Sequence, residues 1–188
     1  MRDLLRRVQE ALPDMARWID RLHAQHAGQA VSAREAGPAR LADYFPRAVL
    51  DAARVVTVAP LPFPPVKEYG LPEFQGMAAP DMAGITFGDM YFVRAGHPAP
   101  DGIHLHELVH VVQWKTLGAA EFLSTYAVGL AQHGYERSPL ESVAFWLGGQ
   151  FDLGIAPLDV TDFVAKHAAA ARDAAARVFR KHHLQLGA

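Results

Sequence analysis

A chain of 188 residues with 51% hydrophobic and 20% charged residues is long enough for one domain with a substantial core and too apolar to stay disordered. Its formal net charge of −2 gives no basic footprint for nucleic acid. The absence of cysteine excludes disulfides, thiol catalysis and thiolate metal sites, leaving histidine and carboxylates as the strong ligands.

The N-terminal MRDLLRRVQEALPDMARWIDRL carries a charge every few residues instead of the apolar run of a signal peptide, and no apolar run reaches transmembrane length. The expectation is one cytoplasmic domain over 1–188 with no membrane partner. Leu4, Leu5, Val8, Leu12, Met15, Trp18, Ile19 and Leu22 recur at spacings of three and four, predicting a helix over 3–26 that Pro13 divides or kinks. Acidic residues interleaved along it favour packing on the domain over a basic membrane-surface helix. Ser32 and Glu35 form a capping-box pattern that Gly37 and Pro38 cut short, and 47–53 suits one or two further turns. Val55, Val56 and Val58 read as a short strand. Five prolines between 60 and 72 impose an extended path, a connector across the domain surface rather than a ligand for an aromatic groove.

In GITFGDMYFVRAG, residues 84–96, two apolar runs flank Gly88-Asp89, a hairpin signal. Helices are expected at about 102–117, 119–133, 139–149 and 159–182, with Asp159 or Thr161 capping the last and His182-His183 in a solvated tail. The expected class is α+β, mainly helical, with a small sheet or hairpin before the fourth helical segment. Its parts are a helical and Pro-rich region over 1–80, a core over 84–150 and a C-terminal helix within 157–183, with no repeat or linker dividing them.

The segment DGIHLHELVHVVQWKTLG, residues 101–118, carries the chemistry. Asp101 is placed to cap its helix. His106 and His110 stand at i and i+4, so both imidazoles project from one face and can reach one zinc ion. Glu107 is poorly placed as a ligand but well placed to take a proton from a zinc-activated water. Leu105, Leu108, Val109 and Val112 bury the rest of the helix. His104 falls nearly opposite His106 and drops out of the cluster. The plain alternative is two core histidines that happen to fall four apart.

A catalytic zinc needs a third protein ligand and an open position. The metzincin continuation fails, because Gln113 and Thr116 stand where glycine and histidine are required, and no aspartate follows before Asp152. Glu121 lies too close behind Gly118 to fold back. Glu141, in the first turn of the helix opened by SPLE, is the preferred third ligand, followed by Glu136 and then His133. An acidic residue on an apolar helix face needs a partner, and a metal supplies one. Tyr135, His133 and Tyr126 are candidate donors for an oxyanion, and Gln113 for holding a ligand from behind. The segment ITFGDMYFV offers an edge strand for an extended peptide.

HELVHVVQW, the tyrosine-containing helix after it, the pair Gly134-Tyr135 and SPLESVAF resemble zincin metallopeptidases with a glutamate third ligand. More closely, they are similar to a group of small bacterial zincin-like domains, as is GITFGDMYFVRAGHP before them. The resemblance covers about 84–146 and leaves the first 80 residues unmatched. It implies a zincin-like fold, one Zn2+, His106, His110 and Glu141 as ligands, Glu107 as catalytic base, and Tyr135 on the family's tyrosine. The chain departs from the best-known members in the longer gap from His110 to Glu141, 31 positions, and in the sequence around Glu141. The implied activity is zinc-dependent hydrolysis of a peptide or protein substrate. The alternative is a catalytically silent zinc-binding module that acts in partner binding.

Overall fold

A computed structural model describes residues 1–77, 82–98, 101–155 and 159–187, with Met77 as backbone only. Residues 157 and 158, assigned above to the C-terminal segment, lie outside them. The first helix, α1 (Arg2–His26), runs unbroken through Pro13. Leu5, Val8, Leu12, Met15, Ile19 and Leu22 are buried on both sides of the proline, and this continuous apolar stripe outweighs a single lost helical hydrogen bond. The two-residue strand β1 (Val31–Ser32) leads into α2 (Ala33–Ala36), where Ser32 Oγ accepts from the Glu35 amide at 3.2 Å. A 3-10 turn over Ala39–Asp43 and the short α3 (Arg47–Ala52) precede β2 (Arg54–Val58).

The Pro-rich stretch is more than a surface connector. It closes on α1: Val66 and Leu71 are buried with Val8, Ala11 and Met15, and Phe63 and Phe74 pack against them. Arg7 of α1 fastens it by donating to the Glu73 carboxylate and the Gly70 carbonyl. Next come β3 (Gly84–Phe87) and β4 (Met90–Arg94), paired antiparallel with Phe87 opposite Met90 across Gly88-Asp89. Gly88 has φ +66°, the left-handed conformation such a two-residue turn requires. The sheet order is β1-β2-β4-β3, with β2 parallel to β4. That leaves β3 at the edge: one side pairs with β4, and the other meets no strand among the described residues.

Four helices complete the chain: α4 (Gly102–Leu117), α5 (Ala119–His133), α6 (Pro139–Asp152) and α7 (Val160–Lys181). α6 therefore runs three residues past its expected end, and Asp159 caps α7 by accepting from the Asp162 amide. Apolar on almost every face, α4 is the central helix, packed between the sheet and helices α5, α6 and α7. Leu105, Leu108 and Val109 are wholly inaccessible. Among the described residues no helix is long and apolar enough to cross a membrane.

Asp101 does not cap α4. Its side chain makes no cap bond, and the Gly102 amide donates instead to Asp152 Oδ1 at 2.8 Å, from the far end of α6. A side chain at 102 would collide with that carboxylate, since a Cβ there lies 2.4 Å from Asp152 Oδ2. This contact starts an antiparallel register between the helices. Gly148 rests on the Gly102 carbonyl and the Cβ of His106, Glu141 reaches His106 and His110, and the Leu140 carbonyl accepts from Gln113. Asp152→Ala removes the cap from a buried helix end, so thermal unfolding should show a loss of about 1–2 kcal/mol. Asp101→Ala should unfold within about 0.5 kcal/mol of the parent chain.

Candidate metal centre

Three buried side chains converge between α4 and α6. His106 Nε2 lies 3.1 Å from His110 Nε2. Glu141 places Oε2 3.5 Å from His106 Nε2 and Oε1 3.4 Å from His110 Nε2. A tetrahedral ion with bonds of 2.0–2.1 Å holds its ligands about 3.3–3.4 Å apart. The spacings are of this order, each imidazole facing a different Glu141 oxygen, and the group could hold a metal ion.

The proton positions point the same way. Gln113 is 1% exposed, and its Nε2 donates to the Leu140 carbonyl at 2.9 Å. That orients the amide so that Oε1 faces His110 Nδ1 at 2.8 Å. An amide oxygen only accepts, so Nδ1 carries the proton and the Nε2 lone pair is left for the centre. Burial opposes a charge on His110, but the Glu141 carboxylate outweighs it and raises the pKa to about 9. Burial likewise opposes ionisation of Glu141, and the facing imidazoles overcome it, holding its pKa well below the usual carboxylate range. Glu141 Oε2 is buried and accepts no hydrogen bond, an orphaned acceptor of the kind a metal satisfies.

Glu107 leaves α4 beside the ligand pair but turns toward the sheet. Thr86 Oγ1 of β3 donates to its Oε2 at 2.6 Å. Its other oxygen fits only because residue 84 is glycine, where a Cβ would stand 2.6 Å from Oε1. Burial raises the Glu107 pKa, and the nearby imidazoles and Thr86 offset part of that rise. The carboxylate thus lies beside the His106, His110 and Glu141 group without joining it.

The two tyrosines differ. Tyr126 donates its hydroxyl to Glu141 Oε1, so it holds the third carboxylate in place, and its donor is occupied. Tyr135 is 37% exposed. Its ring meets Phe145 edge-on at 5.8 Å, and Phe145 meets His106 at 4.7 Å. Burial, with the Glu141 and Glu107 carboxylates, pushes the Tyr135 pKa up, so its hydroxyl remains a donor.

The remaining sequence candidates lie elsewhere. His133 and Glu136 are solvent-exposed and outside the converging group, because α5 ends at His133 with its last turn in solvent. Glu121 sits 3.8 Å from Arg172. His104 Nδ1 meets the Tyr91 hydroxyl at 2.9 Å, away from the centre, and burial lowers its pKa. The sequence reading missed Thr86 and Gly84. Strand alternation carried a usable signal, since residues two apart share a face of β3 and both meet Glu107.

Against known proteins, the chain matches no family model, no curated protein and no solved structure. The zincin resemblance therefore rests on the motif residues alone.

Gln113→Leu keeps the volume but removes the acceptor from His110 Nδ1. Zinc affinity, measured by competition with a chromophoric chelator, should fall about 10- to 100-fold. An unchanged affinity would remove Gln113 from the centre.

Proposed function

We propose that the chain is a zinc-dependent peptidase whose ion is held by His106, His110 and Glu141 and whose general base is Glu107. One observation carries the reading: two buried imidazoles and one buried carboxylate, from two helices, bring ligand atoms within 4.8 Å of one another, while a further ionisable group, from the same helix as the imidazoles, is held beside them by Thr86. A two-imidazole, one-carboxylate set suits zinc and leaves a position open, as hydrolytic zinc sites require.

Zinc bound there supplies Lewis acidity, lowering the pKa of water toward neutrality and polarising a carbonyl. The chain's own groups do the rest. Glu107 accepts the proton of the attacking water and returns it to the departing amide nitrogen, while the Thr86 hydroxyl fixes one of its carboxylate oxygens. Tyr135, at the exposed rim, donates its hydroxyl to the carbonyl oxygen as charge develops there. Tyr126 and Gln113 keep Glu141 and His110 oriented. The edge of β3 that meets no strand among the described residues carries Gly84 and Thr86 and offers backbone N–H and C=O groups to an extended peptide by strand addition.

Zinc content and hydrolysis of a diverse peptide mixture, followed by mass spectrometry, test the reading in two variants. His106→Ala should lose stoichiometric zinc. Glu107→Gln should retain zinc and lose cleavage by at least about 100-fold. Zinc-loaded Glu107→Gln that cleaves as fast as the parent chain would defeat the peptidase assignment. If no zinc binds even to the parent chain, the metal centre fails as well.

A further inference from the structure

A cavity of about 140 Å³ opens directly onto the candidate metal centre. The rest of its wall comes from apolar side chains outside the metal-binding group: Val8 and Met15 of α1, Phe63 and Phe74 of the Pro-rich stretch, and Leu123 and Leu130 of α5. Among the described lining residues there is no lysine, arginine or aspartate. The acidic and imidazole groups are His106, His110, Glu107 and Glu141, all at the metal end. A ligand entering this space therefore meets a cation-binding centre at one end and uncharged hydrocarbon at the other. Nothing there could balance a carboxylate, phosphate or ammonium group carried into the apolar part.

We infer that the site is selective for substrates whose reacting carbonyl bears a ring-sized, uncharged apolar group, seated between α1, the Pro-rich stretch and α5. The inference rests on the zinc-peptidase reading for the position of the carbonyl. Size sets the occupant: an apolar cavity of roughly 150 Å³ takes a benzene-sized molecule, so the space suits a phenyl or branched aliphatic side chain. The walls are fixed independently of any ligand. Val66 and Leu71 bury the Pro-rich stretch against α1, and Arg7 clamps it through Glu73. The region over 1–77 thus shares the specificity wall with α5, while the metal-facing groups come from 84–152.

Binding of a hydroxamate series to the zinc-loaded full chain, measured by titration calorimetry, tests this without any turnover. The probes are acetohydroxamate, 3-phenylpropionohydroxamate, and chains of similar length ending in a carboxylate or an ammonium group. The phenyl compound should bind about 10- to 100-fold tighter than acetohydroxamate, the range expected for burying one such side chain. The two charged compounds should bind no tighter than acetohydroxamate. Leu130→Glu, at a partly exposed wall position, should remove most of the phenyl advantage while leaving zinc content and acetohydroxamate binding unchanged. Equal binding of all four probes to zinc-loaded protein would overturn the apolar selectivity and leave the metal centre standing. Failure to bind zinc or any hydroxamate would overturn the parent reading and this one with it.

Discussion

Two carboxylates, Glu107 and Glu141, are buried beside two imidazoles in the apolar interior around α4, and among the described residues no lysine or arginine lines the space they face. An isolated charge in such surroundings is expensive, and one left unpaired costs more than a core of hydrocarbon. The protein meets this constraint in two steps. It surrounds the group with oriented donors and acceptors, namely Tyr126 on Glu141, Thr86 on Glu107 and Gln113 on His110. It then brings ligand atoms of His106, His110 and Glu141 together in one place, where a metal ion could offset the remaining negative charge.

The constraint also explains why α4 and α6 pack so closely. Ligands on two helices can share one ion only if the helices hold a fixed axial register. Here the register is pinned at both ends, by the Gly102 amide on Asp152 and by Gln113 on the Leu140 carbonyl. Gly102 and Gly148 permit the approach, since side chains there would meet Asp152 or the Gly102 backbone. Glu141 follows His110 by 31 positions because the chain must pass through all of α5 before α6 returns antiparallel to α4.

What could be read from the sequence follows from how local each signal is. His106, Glu107 and His110 lie within five residues of one helix, where i and i+4 geometry alone brings the imidazoles together. Glu141 was legible because an acidic residue on an apolar helix face needs a partner. The Gly88-Asp89 hairpin was legible because turn chemistry is local. Asp152 as the cap of α4 was not, since it lies 50 positions from the amide it accepts and Asp101 offered a nearer answer. The parallel pairing of β2 with β4 is likewise a tertiary fact. Pro13 does not divide α1, because the burial of the helix on both sides of it, which the local sequence does not show, outweighs the proline's local cost. Likewise the Pro-rich stretch reads as a connector until its burial against α1 and its share of the cavity wall are seen.

In the proposed reading, the segment whose motifs resemble zincins supplies the ligands and the base, and the unmatched N-terminal region shares with α5 the apolar wall beside them. Both roles assume an ion at the point where His106, His110 and Glu141 converge. X-ray absorption at the zinc edge, on protein loaded with one equivalent of zinc, addresses that assumption most directly. The account predicts a four-coordinate first shell of nitrogen and oxygen at about 2.0–2.1 Å, with the outer-shell scattering of two imidazoles. A six-coordinate oxygen shell without imidazole scattering would contradict it.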